Sequence, residues 1–131
     1  MTPNTTIVFV CEHGAAKSVL AAAYFDKIAM ELGLEYRAIA RGTNPDPALS
    51  PQTITGLAHD GLAPKESEPK LLSYSDIQSA RRVVSFCELP VEFRQSSIVE
   101  YWQAVPPVSE NYERARDVIV DRIRQLLLSL G

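Results

Sequence analysis

A chain of 131 residues, 46% hydrophobic and 22% charged, is long enough to bury one sizeable core and reads as a single globular domain over residues 1–131. Thirteen Lys and Arg against sixteen Asp and Glu leave a net charge of −3, which excludes nucleic acid and anionic membrane as expected partners, because both call for a basic surface. No basic segment followed by an apolar one opens the chain, so export is not expected and the expected location is cytoplasmic; two cysteines in that setting matter as thiols, not as a disulfide framework.

In chain order, Ile7-Val8-Phe9-Val10 is β-branched and aromatic enough for a strand buried on both faces. From about Ala16 to Leu32, Val19, Ala22, Ala23, Ile28, Ala29 and Leu32 recur at helical spacing, and Gly33 is a natural stop. The apolar run Val19 to Phe25 inside it is far too short to span a bilayer. Leu34 to Ala40 reads as a second strand. The stretch "GTNPDPALSP" then carries three prolines in ten residues, which forbids a regular element across much of it. A short helix is expected around Pro51 to His59, an exposed loop over "LAPKESEPK", and a helical turn or two in "LLSYSDI". Arg82 to Phe86 and Ile98 to Trp102 read as strands. The clearest helix closes the chain, with Tyr112, Ala115, Val118, Ile119, Ile123, Leu126, Leu127 and Leu130 in one stripe after an N-cap at Ser109. Alternating strands and helices imply an α/β fold, a mostly parallel sheet with helices on both faces, and ligands beyond the carboxyl ends of the strands.

Cys11 and Cys87 both fall on that rim. Between the first strand and first helix runs Cys11-Glu12-His13-Gly14-Ala15-Ala16-Lys17-Ser18. Backbone N–H groups in such a loop can converge into an anion cradle, with the helix N-terminus adding partial positive charge. Gly14 permits a positive φ. The amides, the helix and Lys17 all favour a thiolate at Cys11, and the Ser18 hydroxyl is placed to donate to it. A thiolate facing a bound phosphate is arranged for in-line attack to a phosphocysteine. The expected catalytic residues are therefore Cys11, Lys17 and Ser18, and the expected oxyanion-binding residues are Glu12, His13, Gly14, Ala15, Ala16 and Lys17. The bland alternative is a buried strand-end cysteine.

Strand, Cys, five residues, a basic residue, Ser and helix resembles the signature of the low-molecular-weight protein tyrosine phosphatases and the related thioredoxin-coupled arsenate reductases. "ARGTNPDPALSPQTITGLAHDGL", "LLSYSDIQSARRVVSFC" and "YWQAVPP" before the long helix are similar to further stretches of that superfamily, in the same order. The resemblance implies a single three-layer domain with a four-stranded parallel sheet flanked by helices, a phosphate-like oxyanion or phosphorylated substrate, and no cofactor. It leaves the oligomeric state unknown.

Two positions depart from the superfamily pattern. Lys17 stands where the resemblance implies an arginine, and a lysine offers a point charge in place of a planar bidentate grip. The general-acid aspartate that the resemblance implies before a proline falls on Val105 or Pro106. Gly14 replaces a loop asparagine. General acid catalysis typically contributes ~10²–10⁴-fold, so the expected phosphomonoester hydrolysis is weak. Substitute acids to consider are His13, Glu88, Glu92, Glu100 and Glu110, each with a solvated surface role as the alternative. Glu12 is expected to point away from a bound dianion. Cys87 matches the resolving thiol of the arsenate reductases, so it is either a redox partner of Cys11 or a small core residue. Trp102 and Tyr101 with Phe93 form either an aromatic wall or core. A metal site from Cys11, His13, Cys87 and His59 lacks any recognisable spacing, and no metal is expected. Three readings remain: a divergent phosphatase, an arsenate-reductase-like thiol redox enzyme using Cys11 and Cys87, and a silent oxyanion-binding or regulatory domain.

Overall fold

A computed structural model of the chain describes residues 5–94 and 97–130. Its elements run β1 (Thr6–Cys11), α1 (Lys17–Glu31), β2 (Arg37–Gly42), α2 (Pro51–His59), α3 (Tyr74–Ser79), β3 (Ala80–Ser85), α4 (Val91–Arg94), β4 (Val99–Tyr101) and α5 (Tyr112–Leu130). The strands form one parallel sheet in the order β2-β1-β3-β4. This is the α/β, four-stranded parallel architecture expected from the sequence.

The period of two along β1 divides the core. Ile7 and Phe9 face α1 and α5, together with Phe25, Ile119, Ile123 and Leu127. Val8 and Val10 face the opposite side, with Leu72, Ile77, Val83 and Leu89. All four β1 side chains are fully buried, as befits a central parallel strand covered on both faces. Phe9 also carries the aromatic centre of the core, with Phe25 at 5.8 Å and Trp102 at 5.7 Å between ring centroids.

Several boundaries moved for identifiable reasons. The second strand starts at Arg37 and not at Leu34, because the end of α1 takes the residues between. Gly33 adopts φ 71°, Gly33 N–H donates to Met30 O at 3.0 Å, and Leu34 N–H reaches back to Ala29 O at 2.9 Å, a glycine-led helix stop. Helix α5 is not capped by Ser109. Asn111 Oδ1 accepts from Arg114 N–H at 3.0 Å, so the helix starts two residues later than expected, and residues 108–110 form a turn. The expected exposed loop after Gly61 is tied down at two points: Lys65 pairs with Asp26 at 2.6 Å and Glu66 with Arg41 at 2.8 Å. No helix among the described residues is long and apolar enough to cross a membrane.

Helices α1, α2 and α5 meet at one carboxylate. Asp60, just past α2, accepts from Tyr24 OH, from Tyr112 OH at 2.9 Å and from Arg116 Nη1 at 3.2 Å. Burial, and then the bond to Asp60, push the Tyr24 phenol up to about 12, and Tyr112 moves in the same direction for the same causes. A phenol near 10 in the unfolded chain and near 12 in the folded one holds its proton more tightly when folded. Its contribution to stability is complete below about pH 10 and is lost as pH rises through about 12. Phenolate absorbance of the folded protein is expected to show a step near pH 12 that vanishes in Tyr24→Phe; the same step in the variant would show that the assignment is wrong.

Candidate active site

Parallel strands β1 and β3 are neighbours, with Val10 opposite Ser85 and Phe86 N–H donating to Val10 O at 2.8 Å. The chain leaves β1 toward β2 on one side, while β3 lies on the other. A crevice is therefore expected beyond the carboxyl ends of β1 and β3. A cleft of about 780 Å³ occupies that place, lined among others by Cys11, Lys17, Asp46, Phe86, Cys87 and Val108.

The loop between β1 and α1 is held by its carbonyls. Cys11 O accepts from Thr43 N–H at 3.3 Å, Glu12 O from Asn44 N–H at 2.7 Å, His13 O from Asp46 N–H at 3.0 Å, and Ala15 O from Ser50 N–H at 2.9 Å. All four donors belong to the stretch between β2 and α2. In a planar trans peptide the next N–H points opposite to each carbonyl. The amides of Glu12, His13, Gly14 and Ala16 are thereby turned away from that stretch, and none of them meets a protein acceptor among the described residues. The same residues that lost their helix or strand partners thus present a row of free donors. Helix α1 continues the row: its cap residue Ala16 makes no side-chain capping bond, and no acidic side chain occupies its first turn.

This stitching needs two backbones in contact. Gly14 sits at φ 61°, a left-handed conformation suited to glycine, and a Cβ on Gly42 would come within 2.7 Å of Gly14 N. Ser50, the last stitch, also starts α2: its Oγ accepts from Thr53 N–H at 3.3 Å, and Pro51 follows at the first helical position.

Cys11 is 8% exposed, and its Sγ lies 3.0 Å from Oγ of Ser18, itself fully buried on α1. Lys17 is half-buried, lines the cleft and has no ion-pair partner among the described residues. Ala15 and Ala16 line the cleft; Gly14 is buried behind it, against Gly42. Glu12, expected to point away from a bound dianion, is exposed and lines the cleft beside His13, its Oε2 3.0 Å from His13 Nε2. The other imidazole nitrogen of His13, Nδ1, lies 3.2 Å from Asp46 Oδ1.

Elsewhere the structure decides between alternatives that the sequence left open. Glu88, Glu92, Glu100 and Glu110 do not line the cleft, in keeping with the solvated surface role; Glu88 pairs with Arg94 at 3.0 Å. Of the two roles open to Trp102, core is the one it takes: at 7% exposed it packs on Phe9 and Phe86, while Phe93 packs on the opposite face of the sheet and Tyr101 lies in a separate depression. Phe86, stacked over that core, is the aromatic residue that lines the cleft. Val105 is buried in the core, and the residues after it offer Pro107, Val108 and Ser109 to the cleft, without a carboxylate. His59 ends α2, away from this cleft. Asp46 is the acid that sequence reading missed. Its signal, an Asp-Pro pair inside "GTNPDPALS", was visible only as a break in regular structure.

Cys87 reaches the same cleft as Cys11 and is half-buried. Both thiols are free. Burial pushes the Cys87 thiol up; hydrogen bonds with Ser85 and Thr43 oppose the rise, and the charges of Cys11 and Glu12 add to it. The fully buried Ser85 pins the backbone there, donating through Oγ to Cys87 O at 2.6 Å.

A sequence profile described as low molecular weight phosphotyrosine protein phosphatase matches residues 6–97. The chain belongs to that family. No curated protein matches it in sequence. Among solved structures it is similar to YfkJ from Bacillus subtilis, with 19% identity, 98% of this chain and 96% of that one covered, and a TM-score of 0.83. The YwlE arginine phosphatase of Bacillus subtilis, in a mutant with a phosphorylated active-site serine, is similar at 21% identity, 95% coverage of each chain and a TM-score of 0.83. An arsenate reductase from Archaeoglobus fulgidus is similar at 23% identity, covering 92% and 97%, with a TM-score of 0.74. At these identities the likeness is one of fold.

The contact of Gly14 with Gly42 is the tightest demand in this site. Gly42→Ala is expected to lower the unfolding free energy by about 1–3 kcal/mol, as overpacking does. A urea titration reads this directly, and an unshifted midpoint would mean that the two loops do not bear on one another.

Proposed function

We propose that this family member is a divergent phosphatase that hydrolyses phosphomonoesters weakly through a phosphocysteine at Cys11. The observation that carries the reading is the Sγ of Cys11 at 3.0 Å from the buried Ser18 hydroxyl, beside loop amides of Glu12, His13, Gly14 and Ala16 that have no protein acceptor among the described residues. In this reading the Cys11 thiolate attacks phosphorus and Ser18 donates to the sulfur. The amides of residues 12–17 surround the non-bridging oxygens, and Lys17 supplies the compensating charge. Donors already in place for an oxyanion stabilise developing charge without reorganising. Membership of the phosphatase family and the likeness to a phosphatase fold carrying a phosphorylated active-site residue support it.

Lys17 explains why turnover would be slow. One ammonium cannot make the two parallel hydrogen bonds of a guanidinium. Hydrolysis of an aryl phosphate is expected to vanish in Cys11→Ser and to fall ~10²–10³-fold in Lys17→Ala, the usual cost of one oxyanion donor. Lys17→Arg is expected to raise kcat/KM. A steady-state assay of the three variants checks this, and turnover that survives Cys11→Ser would defeat the reading.

A second reading rests on Cys87, which shares the cleft with Cys11. In it, Cys11 attacks arsenate and Cys87 resolves the adduct as a disulfide. The raised Cys87 thiol is a poor attacking group at neutral pH, since the thiolate is the nucleophile. Thiol-dependent arsenate reduction lost in both Cys11→Ser and Cys87→Ser would favour it. Aryl phosphate hydrolysis that is unchanged in Cys87→Ser favours the phosphatase.

A further inference from the structure

Expelling an alkoxide or a weakly acidic phenoxide from phosphorus calls for a proton at the leaving oxygen, and the water that later attacks the phosphocysteine must lose one. The segment that presents Pro107, Val108 and Ser109 to the cleft holds no such group. The stretch between β2 and α2 does. Asp46 lines the cleft together with Cys11 and Lys17. Its own N–H donates to His13 O at 3.0 Å, which fixes it one hydrogen bond from the loop that carries Cys11. Its Oδ1 lies 3.2 Å from His13 Nδ1, while His13 Nε2 lies 3.0 Å from Glu12 Oε2. The Nδ1–Oδ1 contact lets imidazole and carboxylate share one proton at the edge of the cleft. Pro47 follows directly and also lines the cleft, and a proline restricts the backbone of the residue before it.

We propose that Asp46, with His13 behind it, is the acid and base of this cleft. The inference rests on the phosphatase reading above. In the first step the sulfur–phosphorus bond forms and the bond from phosphorus to the ester oxygen breaks. The electron pair goes to that oxygen, and the proton held between His13 and Asp46 moves onto it, releasing the alcohol or phenol. In the second step water enters the vacated position and returns one proton to Asp46 and His13. Its oxygen bonds to phosphorus, and the sulfur leaves as thiolate with hydrogen phosphate as product. Asp46 is a catalytic residue in this scheme, because it touches the leaving oxygen. His13 is a positioning residue that acts through Asp46, and Glu12 fixes the imidazole from the other side. Asp46 half-exposed at the rim suits the part, since the leaving group of a phosphorylated macromolecule lies toward solvent.

The test is a series of aryl phosphates of graded leaving-group acidity, with the full chain and with Asp46→Asn. A poor leaving group needs the proton and a good one does not. Phenyl phosphate hydrolysis is expected to fall ~10²–10³-fold in the variant, within the usual span of general acid catalysis, and a dinitrophenyl ester only a few-fold. With the dinitrophenyl ester, Asp46→Asn is also expected to release phenol in a burst while phosphocysteine accumulates, because the water is no longer deprotonated. His13→Gln repeats the series should Asp46→Asn fail to fold, and it is expected to show the same trend at smaller amplitude. An equal loss for every ester, without a burst, would make Asp46 a merely structural residue and overturn the inference while the phosphatase reading stands. No Cys11-dependent turnover of any ester by the unaltered chain would overturn both.

Discussion

The site depends on four backbone hydrogen bonds between two loops. The carbonyls of Cys11, Glu12, His13 and Ala15 are taken by amides of residues 43–50, and planar peptides convert that into donors aimed the other way. Because the contact is backbone on backbone, it constrains side chains only where the chains touch, at Gly14 and Gly42. Elsewhere around the loop the side chains are free to change. A loop built this way can exchange a basic residue of one kind for another, or lose an acid on a distant segment, and still keep its cradle. In the proposed phosphatase reading, Lys17 and Val105 are changes of this kind.

Charge at the rim follows from the same contact. The stitch at His13 O brings Asp46 beside a loop that already carries Glu12, so two carboxylates stand near the place where a phosphate dianion would bind. Unit charges about 4 Å apart interact by roughly 4 kcal/mol at an effective dielectric near 20, which is enough to empty the site if both carboxylates faced it bare. His13 sits between them, with one ring nitrogen on each. The imidazole engages both carboxylates, while Lys17 lines the cleft without an ion-pair partner among the described residues. Occupying His13 in this way is what allows an ammonium, weaker in grip than a guanidinium, to serve the proposed site.

The sequence was informative wherever chemistry is local. The β-branched block before Cys11, the helical spacing after Ala16, the glycine stop at Gly33 and the serine beside the thiol all depend on neighbours in the chain, and they appear where expected. Positions stayed open or were misplaced where distant segments decide. Trp102, for which wall and core both stood open, is in the core because Phe86, just past the adjacent strand β3, and Phe9, on β1, receive it. Asn111 outcompetes Ser109 as a cap because the turn before it belongs to the cleft wall and not to the helix. Asp46 was hidden for the same reason. Its partner, His13, is far off in sequence, and nothing in a proline-rich stretch announces that its amides are the complement of another loop.

The two thiols set the remaining choice between phosphorus and sulfur chemistry. In the register of β1 and β3, Val10 stands opposite Ser85, so Cys87, two residues past the end of β3, comes one position later than the one that would face Cys11. Ser85 holds it there through its backbone. A disulfide needs Cα atoms roughly 4.4–6.8 Å apart and suitably aimed Cβ atoms. Each thiol stands on a held backbone: the carbonyls of the Cys11 loop are taken by residues 43–50, and Cys87 is tied to Ser85. Burial also pushes the Cys87 thiol up, which weighs against it as the attacking sulfur in the redox reading proposed above.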